Sequence, residues 1–151
     1  MLASVDSTNN YATAQVREGL ATHGSAFMTL EQTQGRGQRG KTWLTTPGEN
    51  ILLTIIMRAE PMDVINPFVL SAKAALGCYD FFKDWAGPDM TRIKWPNDLY
   101  WQDRKAGGIL IESISGSAGP DKSLLFDVGI GININLNILD QKVRNPVSLK
   151  Q

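Results

Sequence analysis

The chain is 151 residues long and 42% hydrophobic, enough for one domain, or two small ones, with a real core. Lys+Arg and Asp+Glu each total 15, which argues against a broad basic surface that binds nucleic acid by charge alone. The single cysteine, Cys78, excludes a disulfide framework and a multi-cysteine metal site. No basic segment followed by an apolar run stands at the N-terminus, and no apolar stretch approaches the roughly 20 residues of a membrane span. The expectation is a cytoplasmic chain with no membrane and no nucleic-acid partner.

Ser7 and Thr8 mark a helix start, and 9–19 can form the helix. Tyr11, Ala14 and Leu20 are expected on its inner face and Gly19 or Gly24 at its exit. The run 26–30 reads as a strand. Positions 33–42 are polar, rich in Gly and Arg, and lack an apolar period, which predicts a loop that is mobile when empty. The apolar run 51–57 predicts a largely buried strand. Asn66 and Pro67 open the longest helix, since Asn caps well and Pro is tolerated at the first helical position. Phe68, Ala72, Ala75, Leu76, Tyr79 and Phe82 recur at helical spacing down to about Trp85, and Gly87 and Pro88 end the helix. Cys78 falls inside that pattern and reads as a buried small hydrophobe. Strand-like runs follow at 91–95, 109–114 and 124–135. In the last, Phe126, Val128, Ile130, Ile132, Ile134 and then Leu136 alternate with smaller or polar residues. Two main helices and several strands joined by short turns predict an α+β fold, a mixed β-sheet with helices packed mainly on one face. Positions 145–151 carry no terminal cap, so further structure is expected beyond them.

Positions 35–42, GRGQRGKT, match the phosphate-loop pattern G-x-x-x-x-G-K-[ST] letter for letter. That chemistry requires the loop to open a helix whose N-terminal amides hold the phosphates. Here Thr42 leads to Trp43, then to Pro47 and Gly48, and then to a strand-like run, leaving room for about one helical turn at most. The loop can still meet an anion through guanidinium and amide donors. A solvated Gly/Arg turn, or a nucleotide- or RNA-binding segment, are the other readings of the same stretch.

Five motifs stand in order: Asp6-Ser7-Thr8-Asn9, QTQGRGQRGKTW at 32–43, KWPND at 94–98, KAGGIL at 105–110 and GIGIN at 129–133. Together they span most of the chain and resemble the catalytic domain of biotin protein ligases, the second and third being the most specific. The resemblance implies the class II synthetase-like fold shared with lipoate ligases, over 1–151 as one catalytic domain truncated at its C-terminus and without an N-terminal DNA-binding domain. It implies a biotin pocket next to an ATP site. The carboxylate of biotin attacks the α-phosphate of ATP, and the biotinyl-5′-AMP formed is attacked by a specific lysine of a biotin carboxyl carrier protein. Two anions meet in the first step, so positive charge, backbone donors and Mg²⁺ are expected there. Lipoate or octanoate transfer on the same fold is the alternative, and homodimer formation stays open.

The resemblance assigns Lys105 and Arg36 to the biotin carboxylate and the phosphates, and Asp98 to Mg²⁺ or to the incoming lysine, an Asx-type turn being its structural reading. Ser7, Thr8 and Gln32 match positions that recognise the ureido ring, where small hydroxyl and amide groups reject analogues that leave them unpaired. Gly35, Gly107 and Gly108 allow close backbone approach, and Gly129 and Gly131 let the last strand lie against the apolar arm of biotin. Trp43 packs either on the pocket or in the core. Arg39, Lys41, Lys94 and Asn97 are expected near phosphate, and Asn133 near the nucleotide.

Gln38 stands where the family usually carries arginine. Glutamine lacks the charge and the bidentate fork that would order the loop on the phosphate of the intermediate. Gln38→Arg is therefore expected to slow release of biotinyl-AMP; an unchanged off-rate would count against that role.

Overall fold

The computed structural model describes residues 1–114, 124–135 and 145–150; Leu136 and Gln151, which closed two of the sequence expectations, lie outside them. Seven strands form one sheet: β1 (Leu2–Val5), β2 (Ala26–Gln32), β3 (Asn50–Arg58), β4 (Thr91–Lys94), β5 (Asp98–Trp101), β6 (Arg104–Ile114) and β7 (Leu125–Asn133). Their spatial order is β1-β2-β3-β7-β6-β5-β4. β1 runs parallel to β2 and every other pair is antiparallel, so the sheet is mixed. The helices are α1 (Thr8–Arg17), α2 (Pro61–Ile65) and α3 (Pro67–Ala86). The α+β architecture is the expected one. β1, β5 and α2 were not foreseen, because each is only four or five residues long and carries no resolvable period.

The register separates the two faces. Thr54 pairs with Gly129, and Gly129 with Leu110, so Leu52, Thr54, Ile56, Gly129, Leu110 and Ile114 share one face. α1 packs there: Ala12 and Val16 meet Ile56, Ile114 and Leu125. The opposite face carries Ile109, Ile111, Val128 and Ile130, and α3 covers it with Ala75 and Cys78. Toward the β5 end Phe82 joins Leu99, Ala106, Ile132 and Val147. Most helical residues therefore lie on one face, and α1 is the exception that matters for the site.

Asn66 caps α3 as its sequence implies, accepting from the Phe68 amide at 3.1 Å, and Gly87 closes the helix at φ 86°. Two expected helix faces need correction. Tyr11, Ala14 and Leu20 do not form the inner stripe of α1; Leu20 is 71% exposed and the buried residues are Thr8, Asn9, Ala12 and Val16. The stripe begins with polar residues, so a search for hydrophobes sets the wrong phase. On α3 the buried residues are Leu70, Ala75, Cys78 and Phe82, while Phe68 turns outward to pack on Trp95.

No helix follows Thr42. Residues Gln38–Gly40 make one 3₁₀ turn, and the chain then runs to β3. Among the described residues no helix is long and apolar enough to cross a membrane. Phe82 is 1% exposed at the centre of the α3 contact. Phe82→Ala should lower the unfolding free energy by about 3–5 kcal/mol in urea titration; a loss under about 1 kcal/mol would mean this contact is not the core of the α3 layer.

Candidate active site

The floor of the site is backbone. Gly108 on β6 and Gly131 on β7 pair directly, and the Trp43 indole lies over both. A Cβ on Gly131 would stand 2.6 Å from Trp43 Cε2, and one on Gly108 3.0 Å from Cζ3. A Cβ on Gly129 would overlap the Asn9 carboxamide. These three glycines exist to admit a ring and an amide against the sheet, which is a use of the missing side chain rather than of unusual φ. Trp43 Nε1 is buried and has no acceptor among the described residues, a state that costs about 1–3 kcal/mol.

One wall is the start of α1. Ser7 occupies the N-cap position but makes no side-chain cap bond. The Thr8 amide donates to Gln32 Oε1 at 2.8 Å, so the orientation of the Gln32 amide is set and its NH₂ is left to face elsewhere. Behind this wall lies a buried polar strip. Thr54 Oγ1 stands 2.8 Å from Thr8 Oγ1 and 2.7 Å from Asn9 Oδ1, and Asn9 Nδ2 donates to Asp127 Oδ1 at 3.1 Å. Asp127 also accepts from the Thr13 hydroxyl at 2.7 Å and the Glu112 amide at 3.2 Å. Burial pushes the Asp127 carboxyl up to about 6; the Thr13 bond pulls it down and the nearby Glu112 charge pushes it up.

Two cations line the site, each held by a carboxylate. Arg36 reaches across from the loop to Glu112 on β6 with Nη1 at 3.0 Å and Nη2 at 2.6 Å, a bidentate pair. Lys105 Nζ donates to Asp98 Oδ1 at 2.6 Å and lies 5.6 Å from the centre of the Trp43 ring. Asn97 Nδ2 donates to the same Asp98 oxygen at 3.1 Å. Lys105 sits on β6, where an irregularity in the β5–β6 register carries its ammonium over Gly108.

Ser7, Thr8, Gln32, Arg36, Trp43, Asn97, Asp98, Lys105, Gly108, Gly129 and Gly131 thus line one cavity. Its open volume is about 50 Å³, room for a few waters but not for a fused-ring ligand while the indole stays where it is. The remaining sequence candidates stand elsewhere. Gly35 packs against the Trp43 backbone, and Gly107 faces Leu99 on the other side of the sheet. Arg39, at φ 57°, and Lys41 are exposed on the loop, and Lys94 Nζ lies over the Tyr100 ring at 5.5 Å. Asn133 is 5% exposed and fully engaged, accepting from Asn50 and donating to the Val147 carbonyl, each at 3.0 Å. Asn9, Thr54, Asp127 and Glu112 received no role from the sequence. The available signal was a single hydroxyl in the run 51–57 and a single carboxylate in the alternating run 124–135.

Residues 1–135 match the profile described as the biotin/lipoate A/B protein ligase family. The chain belongs to that family. The biotin protein ligase of Leishmania major in complex with biotin superposes with a TM-score of 0.78 at 27% identity, covering 99% of this chain and 61% of that one. The biotin protein ligase of Aquifex aeolicus in complex with biotin and ATP gives 0.73 at 26%, covering 97% and 56%. In sequence, the bifunctional ligase/repressor BirA of Escherichia coli is 35% identical over 147 residues, 96% of this chain and 43% of that protein. The biotin–[acetyl-CoA-carboxylase] ligase of Paracoccus denitrificans is 41% identical over 136 residues, 89% and 53%. The chain spans about half the length of the curated relatives it matches.

Asp127 carries a pH prediction. With its folded pKa above the unfolded one, the fold keeps a proton that the open chain releases, so its effect on stability is most favourable below about pH 4 and declines up to about pH 6. Asp127→Asn removes the decline. The unfolding free energy of the variant relative to the parent should therefore rise between about pH 4 and about pH 7; a pH-independent difference would contradict the raised pKa.

Proposed function

We propose that this chain carries the biotin-activating site of a biotin protein ligase, which forms biotinyl-5′-AMP from biotin and ATP and passes the biotinyl group to a lysine of a biotin carboxyl carrier protein. The observation that carries this reading is one cavity lined jointly by Thr8, Gln32, Arg36 and Lys105. It sets a hydroxyl and a carboxamide, suited to a neutral urea, beside two cations suited to a carboxylate and a phosphate.

The chemistry needs those cations. In the first step a carboxylate oxygen bonds to the α-phosphorus and the bond to pyrophosphate breaks. In the second a lysine amine bonds to the acyl carbon, AMP leaves and the amine loses a proton. Lys105 and Arg36 would exchange Asp98 and Glu112 for the ligand's oxygens, which keeps each charge paired throughout. The indole of Trp43 would move off Gly108 and Gly131 to admit the rings, and the loop would then exclude water from a hydrolysable anhydride. Mg²⁺ would neutralise phosphate charge; among the described residues no three His, Cys, Asp or Glu side chains converge, so phosphate oxygens and water would supply most of its ligands, and Asp98 would be the protein group to hold it once Lys105 turns to the ligand.

The polar pair at the urea end favours biotin over lipoate, whose dithiolane would leave both groups unpaired. Pyrophosphate release should be supported by biotin and not by lipoate or octanoate, and biotin should bind in calorimetry where lipoate does not. Lys105→Ala should cut the rate of adenylate formation about 100-fold or more. Equal response to lipoate, or full activity in that variant, would overturn the assignment.

A further inference from the structure

The polar strip under α1 does more than join the helix to the sheet. Thr54 is 0% exposed, Asp127 1%, and Thr8 and Asn9 3% each, so every donor and acceptor along it must be satisfied within the protein. The orientation of the Asn9 carboxamide has one solution. Its Nδ2 faces three acceptors, Asp127 Oδ1 at 3.1 Å, Glu112 Oε2 at 3.2 Å and the Leu110 carbonyl at 3.4 Å. A flipped amide would point its oxygen at two carboxylates and a carbonyl. Asn9 Oδ1 is thereby turned toward Thr54.

The hydroxyl protons follow from a count. Thr8 and Thr54 supply one proton each. Three short contacts compete for them: Thr54 to Asn9 at 2.7 Å, Thr54 to Thr8 at 2.8 Å, and Thr8 to Gln32 Oε1 at 3.0 Å. Gln32 Oε1 already takes the Thr8 amide, whereas among the described contacts Asn9 Oδ1 has only the Thr54 hydroxyl. Leaving a buried carbonyl bare costs more than adding a second donor gains. The Thr54 proton therefore goes to Asn9, and the shorter of the two remaining contacts, 2.8 Å between the hydroxyls, holds a proton only if Thr8 donates it to the oxygen of Thr54 rather than to Gln32, which already has the Thr8 amide. Thr8 then shows lone pairs to the cavity, while Gln32, its oxygen engaged, shows N–H.

We propose that Asp127, acting through Asn9 and Thr54, is a positioning residue that makes the Thr8 hydroxyl an acceptor, so that the cavity selects a ligand with a ring N–H beside a ring C=O. Asp127 touches no ligand. It sets the polarity of a group that does, and the proposal rests on the biotin-binding reading given above. Gly129 is part of the device, because any side chain there would expel Asn9 from its place.

The test is a ratio. Calorimetry on the chain would compare biotin with its two cyclic carbamate analogues, in which one ring N–H is replaced by oxygen. In the parent, the analogue lacking the N–H that meets Thr8 should bind about tenfold or more weakly than biotin. Thr54→Val, nearly isosteric, should bring that ratio close to one, mainly by weakening biotin; Asp127→Leu, which leaves Asn9 the weaker acceptors Glu112 and Leu110, should lower it in the same direction but less. Asp127→Asn retains an acceptor oxygen for Asn9 and should keep the parent ratio. General loosening of the site would weaken all three ligands together and leave the ratio unmoved. If Asp127→Leu does not fold, Thr54→Val and Asp127→Asn carry the comparison. A parent that binds biotin and discriminates, with the same ratio in Thr54→Val, overturns the positioning role alone. A parent that binds no biotin overturns the functional reading and this proposal together.

Discussion

Helix α1 meets the sheet through a carboxamide before it meets it through hydrocarbon. Asn9 sits in the gap left by Gly129 and ties β3, β6 and β7 to the helix by bonds to Thr54, Leu110, Glu112 and Asp127. Ala12 and Val16 then bury the next two turns in the ordinary way. Because the polar contacts are directional, they set the rotation and height of the helix more tightly than hydrophobic contact does. Thr8 and Ser7 are placed by that setting, and so is the Thr8 amide that holds Gln32. The recognition end of the cavity inherits its precision from one buried amide.

The cations follow a different logic. Arg36 and Lys105 come from a loop and a strand remote in sequence, and each rests on an acidic partner carried by the sheet. Glu112 side-chain exposure is 35% and that of Asp98 is 20%, so neither pair is a deeply desolvated ion pair. Such pairs are easily exchanged for a phosphate or a carboxylate, because a new anion restores what the old one supplied. Glu112 joins the two systems, since its Oε2 accepts from Arg36 and from Asn9 alike.

Local sequence chemistry specifies much of this structure. The strands at 26–30, 51–57 and 109–114, the cap at Asn66 and the stop at Gly87 follow from local chemistry, and the structure has them. The motif order pointed to Thr8, Gln32, Arg36 and Lys105, and these converge on one cavity. What escaped were contacts whose meaning is set by register. Thr54 looks like a hydroxyl interrupting an apolar strand until Gly129 is placed opposite it. Asp127 looks like a solvent-side charge in an alternating run, but α1 covers that face too. The pattern of α1 is hidden for the same reason, since its inner stripe opens on Thr8 and Asn9. Asn133, expected near the nucleotide, donates to the Val147 carbonyl, a contact that only the folded chain creates.

The bond from Asn9 to Asp127 spans 118 positions of chain, and β3 finds its neighbour in β7 only after α3 and the β4–β6 strands have been passed over. Wiring of that kind is slow to assemble, since long loops must close before any contact rewards them. It also means that the cavity has no existence short of the complete sheet. A guest seated between Thr8 and Lys105 draws its whole affinity from the assembled state, and by mass action it returns that affinity as resistance to global unfolding rather than to local fraying. Occupancy and integrity of this domain are a single equilibrium read from two ends.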